Sequence, residues 1–91
     1  MAGDCTKEGA RDAVYKALSS VTGYPVARIT DDMLFRNPPL AVDPPRERRL
    51  VGILAGYVSA CTNGAETVTG AEVGNCDTVG ELVTLVQGKV A

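Results

Sequence analysis

The stretch Leu40-Ala41-Val42-Asp43-Pro44-Pro45-Arg46-Glu47-Arg48-Arg49-Leu50-Val51-Gly52-Ile53-Leu54 reads as a loop end, a helix start and an apolar run. Asp43 suits an N-cap, because its carboxylate accepts backbone N–H groups that a first helical turn leaves without partners. Pro44 and Pro45 follow at the first helical positions, where a missing N–H costs nothing and the ring already holds φ near its helical value. From there the apolar residues recur at Leu50, Ile53, Leu54, Tyr57, Val58 and Cys61, one face of a helix. The pattern predicts a helix from Pro44 to Ala60, ended by the turn-rich Cys61-Thr62-Asn63-Gly64. Gly52 and Gly56 stand one turn apart inside it, each costing about 1 kcal/mol relative to Ala. Two readings are open for them: a close crossing with another helix, or a stripe that receives a partner or ligand.

Working outward, residues Thr6 to Val21 place Ala10, Ala13, Val14, Ala17, Leu18 and Val21 at intervals of three and four. Lys7, Glu8, Arg11, Asp12 and Lys16 cover the other side, so this is an amphipathic helix. Thr22-Gly23-Tyr24-Pro25 ends it, since Gly accepts the left-handed residue after a helix and Pro prevents continuation. Val26 to Val42 is long for a connection. In it Thr30 or Asp31 is placed to cap a single turn, and Asn37-Pro38-Pro39 excludes helix. Ile29, Leu34, Phe35 and Leu40 are expected to anchor this loop in the core. Glu66 to Gly74 is weakly patterned, with room for one short helix. Thr78-Val79-Gly80-Glu81 then matches a capping box, followed by the stripe Val79, Leu82, Val83, Val86 and Val90. The fold expected is all-α, a bundle of three main helices and a minor one with a long first loop.

Composition narrows the function. Ninety-one residues make one small domain, 1–91, without room for a deep cleft. Nine basic against eleven acidic residues give a formal charge of −2, which counts against binding nucleic acid by phosphate neutralisation. The chain has no histidine, the commonest general base and metal ligand. Cys5, Cys61 and Cys76 form no C-x-x-C pair. No catalytic residue, metal site or cofactor is expected. Met1-Ala2-Gly3-Asp4 lacks the basic start of a signal peptide, and no apolar run approaches a membrane span. Cytoplasm is the expected compartment.

The order of these signals resembles the acyl carrier and peptidyl carrier protein family. Ile29-Thr30-Asp31-Asp32-Met33-Leu34-Phe35 is similar to the family's I-T-x-D/E-x-x-F loop, and Leu40-Ala41-Val42-Asp43 to its L-G-x-D lead-in. Leu50-Val51 with Leu54 fits the E-L-V-x-x-L that follows, and Thr78-Val79-Gly80-Glu81-Leu82-Val83 its terminal T-V-G-D/E-L/V-V. The resemblance implies a carrier-like three- or four-helix bundle associated with fatty-acid, polyketide or peptide biosynthesis.

One departure bears on function. Where the family has the serine that takes the phosphopantetheine arm, this chain has Pro44, which has no hydroxyl. Ser19, Ser20 and Ser59 lie elsewhere. The segment between the second and last helices is also longer than in a typical carrier. The expectation is a non-catalytic carrier-like domain that works by protein–protein recognition. A second departure is charge: family members present an acidic second helix, whereas this chain has Arg36, Arg46, Arg48 and Arg49 beside Asp43 and Glu47. Those arginines and Asp43 are the expected partner-binding residues, for a protein with an acidic face. Positive charge at a helix N-terminus opposes the helix dipole, so they do not serve the helix itself. The resemblance also places Cys5 and Cys61 at one end of the bundle and Cys76 at the other, beside Pro44. A Cys5–Cys61 bridge is then within reach, although a cytoplasmic redox poise argues against it. Cys76 reads as a small buried residue, or as the nucleophile of an atypical working carrier. A small nucleic-acid binder using Arg46 to Arg49 is the remaining alternative.

Overall fold

The helices begin where a side-chain oxygen meets free backbone N–H groups. In a computed structural model, which describes residues 5–90, four helices follow one another: α1 (Lys7–Thr22), α2 (Pro44–Thr62), α3 (Gly70–Gly74) and α4 (Val79–Val90). Thr6 accepts from the Gly9 N–H at 3.0 Å, and Asp43 accepts from the Arg46 N–H at 3.0 Å with Pro44 at the first position of α2. Thr69 with Glu72 and Thr78 with Glu81 each form the reciprocal bonds of a capping box. The second box matches its sequence signature, whereas the first settles the weakly patterned 66–74 segment as a five-residue helix. Gly23 and Asn63 close α1 and α2 in the left-handed conformation.

The long connection departs from its expected form. Its helical turn lies at Val26–Arg28, a short 3₁₀ helix after Pro25, rather than after Thr30 or Asp31. Proline fixes the φ from which that turn starts. Ile29, Phe35 and Leu40 are buried as expected, but Leu34 is 45% exposed. Leu34 makes an isolated antiparallel bridge with Thr78, and neighbouring residues of extended backbone point to opposite sides. Burying Phe35 therefore turns Leu34 outward. The same segment bonds the start of α4: the Val79 N–H donates to the Met33 carbonyl and the Gly80 N–H to that of Asp31. A Cβ at position 80 would lie 3.1 Å from the Asp31 oxygen, which explains a glycine inside a helical turn.

α1 packs on both α4 and α2 and runs opposite to them. Gln87 of α4 donates to the Lys7 carbonyl, and Cys5 is disulfide-bonded to Cys61 at the far end of α2. The core is aliphatic: Ala10, Val14, Leu18, Leu50, Leu54, Val58, Val73, Val79, Leu82 and Val86 surround Phe35. On α2 the expected stripe is narrower than the sequence suggests, since Ile53 is 41% exposed and Tyr57 half-buried. Nothing lies within 4 Å of a side chain built on Gly52 or Gly56, so the close-crossing reading of those glycines is wrong. They face outward, because Leu50, Leu54 and Val58 set the buried side of the helix. No helix among the described residues is long and apolar enough to cross a membrane. The reading of residues 1–4 lies outside the described residues.

The sequence left the pairing of Cys5 and Cys61 open; the two are bridged, and antiparallel packing brings their Cα atoms to 5.5 Å. It closes a loop of 56 residues. Reduction, or the double change Cys5→Ser with Cys61→Ser, is expected to lower unfolding stability by about 2–4 kcal/mol through the freedom regained by the unfolded chain. A urea midpoint that does not move with reductant would show that the bridge contributes nothing.

Three carboxylates titrate below their ordinary range. Asp31 is lowered by hydrogen bonds from Arg11 and then Tyr15, Glu72 by Lys89 and then the Thr69 N–H, and Glu81 by the Thr78 and Asp77 N–H groups. A carboxylate with a lowered folded pKa adds stability that is present above its unfolded value and is lost as pH falls through the folded one. Stability should therefore decline from about pH 5 downward. Asp31→Asn should flatten that decline in acid-dependent urea titrations while lowering the plateau near neutrality.

Candidate interaction surface at the start of the second helix

The sequence grouped Asp43, Arg36, Arg46, Arg48 and Arg49 as one recognition cluster; the structure divides them by what each touches. Arg36 comes from the long connection and is held internally. Its Nε donates to Glu47 at 2.8 Å, and its two terminal nitrogens donate to the Cys76 carbonyl at 2.6 Å and the Val73 carbonyl at 3.1 Å. Its guanidinium lies 4.4 Å from the centre of the Phe35 ring, within the range of a cation–π contact. Asp77 adds a longer ion pair at 3.8 Å. The planar fork of arginine suits this set of acceptors, two of them backbone carbonyls at and just after the end of α3.

Asp43 and Arg46 form a second local unit. Asp43 caps α2 through one carboxylate oxygen and meets Arg46 Nη1 at 3.2 Å through the other. This pair is half-exposed and contributes little to stability. It also neutralises Arg46 where the helix dipole would oppose a bare cation. Arg48 and Arg49 are different. Both are exposed, and neither makes an ion pair or side-chain hydrogen bond among the described residues. Arg48 stands at the rim of a shallow groove between α2 and α3, lined by Pro44, Glu47, Val51, Gly52 and Gly70. Gly52 and Gly70 leave that groove open, with no neighbouring atom within 4 Å of either missing side chain.

Pro44 is exposed at the α2 start. Ser20 is exposed and Ser19 and Ser59 half-buried, on α1 and at the far end of α2. Cys76 does lie at the Pro44 end of the bundle, tied to Glu47 through Arg36. Its thiol is buried and approaches the Glu72 carbonyl at 3.5 Å. Burial, reinforced by the Glu81 carboxylate, pushes the thiol pKa up, which keeps it protonated and poorly nucleophilic. Among the described residues no three His, Cys, Asp or Glu side chains are placed to hold a metal ion.

Sequence reasoning missed Val51, Gly70 and the groove they form, because α3 docks there from a segment with weak periodicity. The Thr69-x-x-Glu72 spacing was the available signal for that helix start.

Arg36→Ala is expected to destabilise the fold by about 2–3 kcal/mol, since it removes three charge-assisted bonds and takes from the Cys76 carbonyl its guanidinium donor. Arg36→Lys should recover less than half, because an ammonium cannot reach the three acceptors as a planar fork. Chemical denaturation of the two variants checks both statements.

Comparison with known protein families, with curated proteins and with solved structures finds no match for this chain.

Proposed function

We propose that this chain is a carrier-protein-like interaction module that cannot receive a phosphopantetheine arm and acts by recognising a protein partner with an acidic face. The observation that carries the reading is the start of α2. Asp43 caps the helix, exposed Pro44 occupies its first position, and exposed Arg48 and Arg49 follow without ion-pair partners among the described residues. A helix start so arranged offers no hydroxyl for covalent attachment. It offers instead two cations and, beside Arg48, an open groove floored by Val51 and Gly52.

The order of elements supports the carrier-like part of the reading: a long first helix, a looped connection, a second helix behind an Asp cap, a short third helix and a fourth begun by Thr-Val-Gly-Glu. The charge supports the partner class. Unpaired surface cations on a chain of net charge −2 mark a local patch, and complementary potentials steer encounter and exclude wrong partners more than they add raw affinity. The interaction residues are then Arg48 and Arg49, with Asp43 and Arg46 shaping the helix start and Arg36 holding it in place.

Two measurements test this. Co-expression with a promiscuous phosphopantetheinyl transferase should leave the intact mass unchanged; an adduct overturns the reading, and its position names the attachment residue. Arg48→Glu with Arg49→Glu should lower capture of an acidic-faced partner by at least about tenfold while the thermal melt stays within a few degrees of wild type. Undiminished capture would remove these two residues from the site.

A further inference from the structure

We propose that the Cys5–Cys61 bridge is a redox switch, which on reduction releases the first turn of α1 and leaves the rest of the fold in place. Both cysteines are within reach of a reductant, since Cys5 is exposed and Cys61 half-buried. Exposed bridges are the labile and regulatory ones, because a thiolate must approach the sulfur that it attacks. What the opening changes is decided by how much else holds the chain at each cysteine.

On the α1 side the bridge holds a turn that the core does not. Cys5, Thr6, Lys7 and Glu8 are all exposed, Gly9 has no side chain, and Ala10 is the first buried residue of α1. Besides the bridge, this turn has its own cap, in which the Thr6 hydroxyl accepts from the Gly9 N–H. It also accepts one bond from α4, given by the Gln87 amide to the Lys7 carbonyl. A helix end that buries no apolar side chain opens at low free-energy cost. On the α2 side the fold does not depend on the bridge. The Asn63 and Gly64 N–H groups both donate to the Ser59 carbonyl. The Thr62 hydroxyl donates to the Val58 carbonyl and accepts from the Glu66 N–H, and Val58 itself is fully buried. The two ends are unequal, so reduction frees the start of α1 while the end of α2 stays.

The third cysteine does not enter the exchange. Cys76 is buried beside Arg36 at the other end of the bundle, and the stretch of α2 from Glu47 to Cys61 is about 20 Å long. Opening is a thiol–disulfide exchange with a dithiol reductant. One reductant thiolate attacks the Cys5 sulfur, the S–S bond breaks, and Cys61 leaves as a thiolate that takes a proton from water. The second reductant thiol gives up its proton and attacks the reductant sulfur of the mixed disulfide, so that Cys5 leaves and is protonated in turn. Two electrons and two protons pass to the cysteine pair, and the reductant departs as its own disulfide. The stability lost with the bridge is smaller than that of an ordinary domain, so the reduced chain stays folded. The switch lies at the opposite end of α2 from Pro44 and Arg48, and it stands whether or not that surface receives a partner.

The test treats the full chain with dithiothreitol in native buffer, alkylates it with iodoacetamide and maps the adducts by mass spectrometry. Cys5 and Cys61 should be alkylated and Cys76 not, and oxidised glutathione should restore the same bridge. The reduced chain should keep its helical circular dichroism. Backbone order parameters at Lys7, Glu8 and Gly9 should fall from about 0.85 towards 0.6, while those of α2 and α4 stay. Cys5→Ser with Cys61→Ser should give the same order parameters without reductant. A bridge that resists dithiothreitol until denaturant is added overturns the proposal, as does a reduced chain that loses its helices. Alkylation of Cys76 in step with the other two overturns it, and so does a folded reduced chain whose residues 7–9 stay as rigid as before.

Discussion

One guanidinium, that of Arg36, joins three segments that are distant in the chain. It reaches Glu47 in the first turn of α2 and the Val73 and Cys76 carbonyls at the end of α3, while lying over the buried Phe35 ring. The five residues of α3 are far too few to form a stable helix alone. Its capping box supplies one end, and Arg36 donates to the carbonyls at the other. A residue that the charge pattern places among recognition arginines thus has its donors engaged within the fold. Removing it would uncouple the long connection, the start of α2 and the approach to α4 together.

The opposite end of the bundle is held by covalent chemistry. Cys5 and Cys61 join the beginning of α1 to the end of α2, and Gln87 ties α4 to the same region. Between these two attachments the core is built almost wholly from Val, Leu and Ala around one phenylalanine. Small aliphatic side chains fill a narrow bundle, but they leave shallow seams where two of them meet at the surface. The α1–α2 groove and the α2–α3 groove are both of this kind, with glycine or alanine in place of a larger neighbour.

These seams give α2 two usable flanks with different electrostatics. Towards α3 the helix presents Pro44, Arg48 and Gly52, a basic rim over an open floor. Towards α1 it presents Ile53 and Tyr57, facing a helix that brings Glu8, Arg11, Asp12 and Lys16 to the same groove. Arg48 and Arg49 are adjacent in sequence and both exposed, but successive helical residues are turned by about 100°, so only Arg48 reaches the rim of the α3 groove.

Local sequence was enough for the helices themselves. The Asp43-Pro44-Pro45 start, the Thr78–Glu81 capping box, the Gly23 stop and the three-and-four spacing of α1 each act within a turn or two of chain, where short-range sterics and hydrogen bonding decide. Contacts between distant segments were not legible in the same way. The pairing of Leu34 with Thr78 chose which of two neighbouring apolar residues is buried, and the docking of α3 decided that Gly52 faces an open groove. Arg36 has the same sequence signature as Arg48, an arginine near a helix start; only the arrival of α3 and Glu47 around it makes one a clamp and leaves the other exposed. Helix identity, its caps and its apolar face were therefore written in the sequence. The exposure of Leu34 and Ile53, the roles of the arginines and the closure of the disulfide waited on tertiary structure, because each depends on the packing of distant segments.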